Sequence, residues 1–190
     1  MTRIVAGTAG GRRLSVPPKG TRPTSERVRE ALFGALEAVF DFDGIHLLDL
    51  YAGSGALGFE ALSRGAGGVT FVESDRRALD VLRANVAALG LVGARVVPGP
   101  VESVVAAEPD RVYDIVLADP PYALANDALG KVLAGLLGRG WLASDGLVVL
   151  ERAARDGEPD WPQGLRPTRS RRYGDTVLHW AEPATGPSSE

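Results

Sequence analysis

The sequence contains no cysteine, and this absence removes several kinds of chemistry at once. Disulfides, thiolate nucleophiles, zinc-thiolate sites and cysteine-ligated iron–sulfur clusters are all excluded. Only two histidines are present, His46 and His179, and they lie far apart in the sequence beside strand-like runs. We interpret both as structural and expect no metal site. Any chemistry must therefore come from oxygen and nitrogen groups.

Long hydrophobic runs are also missing. No apolar stretch approaches the roughly 18 residues of a membrane-spanning helix, and the first residues do not combine a basic start with an apolar segment. The sequence therefore predicts no membrane partner and a cytoplasmic location. A chain of 190 residues is most simply one domain, because a domain of that size hides roughly 70% of its unfolded surface.

The charge is small overall but unevenly distributed. The net charge is −3, yet the first 30 residues carry seven basic and two acidic side chains, a balance of +5, so that the remaining 160 sum to −8. A basic segment on an acidic body suggests a polyanion bound at one edge of the molecule. A solvated surface segment explains the same charges equally well.

Before residue 45, the pattern predicts a small hairpin and a helix. Residues 3–7 and 12–16 are typical of two short strands joined by a glycine-rich turn. Pro23-Thr24-Ser25 then predicts the start of a helix. Its apolar residues recur at helical spacing on one face: Val28, Ala31, Leu32, Ala35, Leu36, Val39 and Phe40.

From residue 45 onward, short apolar runs alternate with helical stretches. The runs are 45–50, 68–73, 94–97, 113–119 and 146–151. The helical stretches are 56–64, 75–89, 101–107 and 126–138, with Asp75 as N-cap and Gly90 as stop of the second. Residues 166–182 predict a closing hairpin. Since apolar runs separated by helices are typical of buried parallel strands, the sequence predicts an α/β fold with an open, mostly parallel seven-stranded sheet and a small N-terminal β-hairpin extension.

A glycine-rich loop, "DLYAGSGALG" at 49–58, follows the first strand of this sheet. Gly53, Gly55 and Gly58 spell the G-x-G-x-x-G pattern of an adenosine-cofactor loop. Glu73 ends the second strand twenty residues after Gly53, where a carboxylate can accept hydrogen bonds from both hydroxyls of a ribose. A cluster of turn glycines with a solvated glutamate is the alternative interpretation.

Asp49 favours S-adenosylmethionine over NAD as the cofactor. It lies four residues before the first glycine, in a strand end that dinucleotide sites usually leave apolar. A carboxylate there suits a cationic amino group and sulfonium and repels a pyrophosphate. The segment after the run 94–97, where adenine is expected to bind, gives a weaker signal, because Pro100 precedes Val101 and Glu102. We place adenine near the backbone of Val101.

The residues Asp119-Pro120-Pro121-Tyr122 follow the fourth strand directly and indicate the chemistry. Two prolines end a central strand and keep the backbone rigid. The Asp119 carboxylate and the Pro120 carbonyl can accept hydrogen bonds from both N–H groups of an exocyclic amine. The nitrogen lone pair then points at a methyl donor. Tyr122 can stack on the base, for about 1–3 kcal/mol, once the nucleotide is splayed out. A proline-rich loop that merely caps a strand is the alternative.

Several stretches resemble one known family. "RIVAGTAGGRRLSVP", "TRPTSERVREALFGAL", "DLYAGSGALGFEALSRGA" and "VLADPPY" resemble the bacterial 16S ribosomal RNA guanine-N2 methyltransferases, the RsmD family, over nearly the whole chain. The resemblance implies a Rossmann-like class I S-adenosylmethionine-dependent methyltransferase that acts on 16S RNA in the small ribosomal subunit or its assembly intermediate. It also implies that residues 22–27 close over the methionine end of the cofactor, and that the N-terminal hairpin engages RNA.

These arguments define the candidate residues. The catalytic candidates are Asp119, Pro120, Pro121 and Tyr122. The cofactor-binding candidates are Thr24, Asp49, Tyr51, Gly53, Ser54, Gly55, Glu73, Ser74, Val101 and Asp119. The RNA-binding candidates are Arg3, Arg12, Arg13, Arg22 and Arg27. The expected organisation is a basic hairpin at 1–22, a Rossmann-like domain at 23–182 and a disordered tail at 183–190.

Other functions remain open. A DNA adenine-N6 methyltransferase would share the core motifs but normally needs a target-recognition region, and no stretch here is long enough. A protein-glutamine methyltransferase commonly has Asn in place of Asp119. An NAD oxidoreductase would explain the glycines but give residues 119–122 no function. A non-catalytic RNA-binding module would be expected to have a damaged cofactor loop, whereas this one is intact.

Overall fold

The computed structural model describes residues 2–18 and 24–184. The chain forms two compact units, Met1–Pro100 and Val101–Glu190. Seven strands form a mostly parallel sheet, which confirms the predicted α/β class. The tail predicted at 183–190 lies outside the described residues from 185 onward.

The first unit contains a two-stranded hairpin, three helices and three parallel strands. Its elements are β1 (Thr2–Arg3), β2 (Arg13–Leu14), α1 (Glu26–Glu37), β3 (His46–Leu50), α2 (Ala56–Ser63), β4 (Gly68–Glu73), α3 (Arg76–Leu89) and β5 (Ala94–Pro98). Strands β1 and β2 are antiparallel to each other. In the other sheet β4 lies between β3 and β5 and is parallel to both.

The second unit continues the alternation and ends in an antiparallel hairpin. Its elements are α4 (Val101–Ala106), β6 (Tyr113–Ala118), α5 (Asn126–Gly138), β7 (Leu142–Ala153), β8 (Leu165–Tyr173) and β9 (Thr176–Pro183). Strand β7 is parallel to β6, and β9 pairs antiparallel with both β7 and β8. The predicted closing hairpin is confirmed.

The helix ends follow the predicted chemistry. The Asp75 carboxylate accepts the N–H of Ala78 at 2.8 Å, which satisfies a free donor at the start of α3. Gly90 ends the same helix in the left-handed conformation, at φ 60°. Ser25, within the predicted start of α1, accepts the N–H of Val28.

Two local predictions need correction. The predicted N-terminal hairpin is present, but its strands have only two residues each. Val39 was expected on the buried face of α1 but is 70% exposed, since the helix ends at Glu37. The buried face of α1 instead includes Arg29 and Phe33, which lie one residue beyond predicted positions.

The N-terminal segment packs within the first unit. Ile4 and Leu14 are fully buried. The buried Glu60 carboxylate on α2 accepts the backbone N–H groups of Val5 at 2.9 Å and Ala6 at 3.1 Å. The buried Arg29 donates to the carbonyl of Arg3 at 2.7 Å. Residues 2–18 are therefore part of the first unit's packing, whereas the sequence suggested an arm on which the core would not depend.

Candidate functional site

The glycine loop turns sharply between β3 and α2. Tyr51 has a positive φ of 58°, and Gly55 is the left-handed N-cap of α2, at φ 86°. A Cβ at Gly58 would overlap the ring of Phe71 and approach Val69 Cγ1 to 2.7 Å. Gly58 thus lets α2 lie directly on β4, as the spacing of the motif predicts.

Asp49 lies beneath this loop and is 1% exposed. Its Oδ2 accepts the N–H of Gly58 at 3.0 Å, near the N-terminus of α2. Burial raises the pKa of the Asp49 carboxyl well above its ordinary range, the hydrogen bond from Gly58 opposes this, and the negative charge of Glu73 adds to it. A cationic group would favour the ionised form of this carboxyl.

Glu73 accepts three backbone N–H groups at the end of β4. Oε2 accepts from Gly53 at 2.7 Å, while Oε1 accepts from Ser74 and Asp75, each at 2.9 Å. A carboxylate offers about four lone-pair sites. These bonds hold the glycine loop against β4 and leave capacity for about one further donor, so accepting two ribose hydroxyls would require one backbone bond to be shared or replaced.

The other cofactor candidates of the first unit differ in exposure. Ser54 is buried, and its carbonyl accepts Asn85 Nδ2 at 2.9 Å. Thr24 is buried as well, whereas Ser74 is exposed. Asn85 also exchanges two hydrogen bonds with the backbone of Ser15. The sequence analysis missed Asn85. Its one signal in the sequence is that an asparagine lies on the apolar face of a predicted helix.

In the second unit, the Asp-Pro-Pro-Tyr loop begins directly after β6. Asp119 is half-buried, Pro120 is buried and Pro121 is exposed. Tyr122 is 52% exposed, so much of its ring is open to a stacking partner. Val101, the adenine-site candidate of this unit, is the first residue of α4 and is buried.

Two arginines that the sequence analysis missed hold this loop. The Arg152 guanidinium donates to the carbonyl of Leu124 at 3.1 Å. The Arg155 guanidinium lies 5.6 Å from the centroid of the Tyr122 ring, within the range of a cation–π contact. Arg152 lies near the end of β7 and Arg155 follows that strand, and no motif in the sequence marks either of them.

The N-terminal arginines chosen as RNA contacts make internal interactions. Arg12 donates to the carbonyls of Ala88 at 2.6 Å and Leu89 at 2.9 Å, at the C-terminus of α3, where a positive charge is favourable. Arg3 pairs with Glu26 at 3.1 Å. Arg13 and Arg27 are exposed. Arg22 and Lys19 lie outside the described residues.

The remaining site predictions concern metals, membranes and the histidines. Within 2–18 and 24–184, no three or more metal-ligating side chains come together, and no helix is long and apolar enough to cross a bilayer. His179 is buried with Nδ1 at 2.8 Å from Ser170 Oγ, and burial lowers the pKa of its ring. This environment is that of a structural histidine.

Comparison with known proteins identifies the family of this chain. The family described as conserved hypothetical protein 95 matches residues 2–182. The ribosomal RNA small subunit methyltransferase D of Escherichia coli K12 is 41% identical over 176 residues, which cover 92% of this chain and 86% of that protein. The protein of the same name from Haemophilus influenzae is 36% identical over 155 residues, covering 78% and 77%.

A solved structure extends the likeness to three dimensions. A hypothetical protein from Thermus thermophilus superposes with a TM-score of 0.79 at 36% identity, over 96% of this chain and 99% of that one. TrmN, also from Thermus thermophilus, is 24% identical with a TM-score of 0.69, over 83% of this chain and 48% of that one, and shares the fold. The chain therefore belongs to the RsmD family, that of ribosomal RNA small subunit methyltransferase D.

Proposed function

We propose that this protein transfers a methyl group from S-adenosylmethionine to the exocyclic N2 amine of a guanine in 16S ribosomal RNA. The observation that carries the proposal is the Asp119-Pro120-Pro121-Tyr122 loop. It presents a half-buried carboxylate beside a buried proline and an exposed aromatic ring. Relatives that share the family are named rRNA small subunit methyltransferases.

The residues of the first unit fit S-adenosylmethionine. The space around a Cβ placed at Gly53 contains no described atom within 4 Å, so the loop backbone borders open space there. Asp49 supplies a buried carboxyl near that loop, and Glu73 retains acceptor capacity. We assign Asp49 to the cationic methionine end and Glu73 to the ribose. Thr24, Tyr51, Ser54, Gly55 and Ser74 complete the proposed cofactor contacts in this unit.

The residues of the second unit bind and orient the target amine. When bound, S-adenosylmethionine supplies a methyl group on a positively charged sulfur. The Asp119 carboxylate and the Pro120 carbonyl accept hydrogen bonds from the two N–H groups of the amine. These bonds draw the nitrogen lone pair out of conjugation with the ring. Tyr122 stacks on the guanine and positions it. No strong base is required, because the nitrogen's proton becomes acidic once the methyl group has been transferred.

The test identifies the product. The protein is incubated with labelled S-adenosylmethionine and small subunits from cells that lack the enzyme, and the labelled nucleoside is then identified. We expect N2-methylguanine. N6-methyladenine, a labelled ribosomal protein or no transfer at all would contradict the proposal.

Variants of the loop test the assigned roles. Asp119→Ala should lower kcat by about 100-fold or more, the effect of misplacing a reacting group, and should weaken S-adenosylmethionine binding by far less. Tyr122→Ala should impair methylation by losing the stacking surface, and Tyr122→Phe, which retains it, should not. Near-normal turnover of Asp119→Ala would remove this mechanism.

A further inference from the structure

Strand β8 carries an unusual row of positive charge. Its nine residues include four exposed arginines and no acidic side chain: Arg166, Arg169, Arg171 and Arg172. The strand is the last in the sheet, beyond β9, so among the described residues its other edge is not paired within that sheet. At about 3.3 Å per residue, the row from Arg166 to Arg172 extends over roughly 20 Å.

The row ends near the part of the second unit that carries the Asp-Pro-Pro-Tyr loop. The backbone N–H of Ala154, which follows β7, donates to the carbonyl of Asp175 in the β8–β9 turn at 2.8 Å. Arg152 and Arg155, on either side of Ala154, contact Leu124 and Tyr122 of the loop. Contacts thus connect the turn of the hairpin to the proposed catalytic loop.

Two exposed guanidinium groups of this row lie against aromatic rings. Arg169 lies 4.8 Å from the centroid of the Trp180 ring, and Arg171 lies 6.0 Å from that of Tyr173. Stacking fixes a guanidinium by its face and leaves its N–H donors at the edge, where they match a phosphate. Arg166 and Arg172 differ, because Arg166 pairs with Glu182 at 3.4 Å and Arg172 Nε donates to the Gly174 carbonyl at 2.7 Å.

We propose that β8 is a track for the RNA phosphodiester backbone that flanks the target nucleotide, with Arg169 and Arg171 as its principal phosphate contacts. The proposal rests on the RNA substrate proposed above. A row of exposed cations leading away from an exposed aromatic ring is the arrangement by which proteins follow a single strand while a base is stacked. A charged edge also discourages strand pairing between molecules, but any charge would serve that purpose. All four charges of β8 are positive, as neutralising phosphates requires.

The test compares Arg169→Gln/Arg171→Gln with the parent. Binding to protein-free 16S RNA and to small subunits is measured across a salt series. We expect weaker binding and a slope of log K against log salt that is smaller by about 1.4, because each phosphate of a single strand that is no longer neutralised reduces the slope by about 0.7. Arg169→Lys/Arg171→Lys keeps the charge and should retain most of the slope.

A matched control removes two charges elsewhere in the same unit. Lys131→Gln/Arg139→Gln changes exposed residues on and just after α5 and should leave the slope unchanged. Calorimetry with S-adenosylmethionine and thermal unfolding establish that each variant is folded. If the double glutamine variant does not fold, Arg171→Gln alone is measured, since its ring contact is the longer one.

The outcomes separate this proposal from the proposed function. An unchanged slope in the glutamine variant overturns the track. Loss of binding to subunits with normal binding to protein-free RNA also overturns it, because the partner would then be a ribosomal protein. The salt series needs no catalysis, so a parent protein that binds RNA through β8 but yields no methylguanine would contradict the proposed function and leave the track standing.

Discussion

Asp49 shows how strongly one residue can depend on its surroundings. Its carboxyl is almost closed to water, accepts one backbone N–H and lies near the charge of Glu73. A buried carboxyl without a positive partner destabilises the folded chain when it ionises. The same arrangement gives a cationic ligand a strong preference for this place, because the ligand supplies the missing charge.

We predict that Asp49→Asn stabilises the protein in the absence of cofactor at neutral pH. A pKa raised by folding contributes stability that is fully present below the unfolded value of about 3.9 and is lost as pH rises through the folded value. Asparagine does not ionise and can still accept the Gly58 N–H. The unfolding temperature of the variant should exceed that of the parent at pH 7, and the difference should shrink toward about pH 4.

The control for this prediction is the cofactor itself. With saturating S-adenosylmethionine, the parent should have the higher unfolding temperature, because the parent gains the ion pair with the cofactor and the variant does not. An Asp49→Asn protein that is less stable than the parent at pH 7 without cofactor would contradict the conclusion that the buried, ionised carboxyl destabilises the folded protein.

At the scale of elements, the contact of α2 with β4 depends on a missing side chain. Gly58 lies where a methyl group would overlap the Phe71 ring, which itself packs 4.8 Å from the Phe59 ring. The helix begins in the glycine loop, so any shift of α2 also moves the loop. The packing of α2 and the position of the glycine loop are therefore linked through one glycine.

We predict that Gly58→Ala lowers the free energy of unfolding by about 1–3 kcal/mol, the usual effect of overpacking. Gly34→Ala is the matched control, since Gly34 is exposed in α1 and its Cβ would meet no described atom. It should raise the free energy of unfolding by about 0.4–1 kcal/mol. Urea denaturation measures both, and equal stability of the Gly58→Ala protein and the parent would contradict the close packing.

Local chemistry explains which elements the sequence could predict. Asp75, Gly90 and Gly58 act on residues within a few positions or on the next strand, and their roles were predicted correctly. The contacts of Arg12 with α3 were not predicted, because a guanidinium suits a phosphate as well as a helix carbonyl, and these partners lie 76 and 77 residues away. The β8 arginines were missed because their significance comes from the pairing of β8, β9 and β7.

At the scale of the whole molecule, the N-terminal segment is bound by charged groups that are themselves buried. The fully buried Glu60 carboxylate accepts two of its N–H groups, and the Arg29 guanidinium donates to the Arg3 carbonyl and the Thr2 hydroxyl. Without the segment, both charges would lose hydrogen-bond partners. Leaving a buried polar group without its hydrogen-bond partner typically costs about 1–3 kcal/mol, and more when the group is charged.

We predict that deletion of residues 1–18 abolishes cooperative thermal unfolding, measured by circular dichroism. The deletion removes the buried Ile4 and Leu14 from the packing and takes hydrogen-bond partners from Glu60 and Arg29. Arg13→Gln is the control, because it removes charge from the segment but no described contact, and it should unfold as the parent does. A truncated chain with a transition near that of the parent would restore the interpretation of residues 1–22 as a separate arm.

The contacts of residues 2–18 also determine when that segment can fold during synthesis. Its partners Glu60, Ser63, Asn85 and Leu89 lie 54 to 77 residues further along the chain. The segment therefore leaves the translating ribosome long before α2 and α3 exist to receive it. Until residue 89 has emerged, residues 2–18 have no complete docking surface.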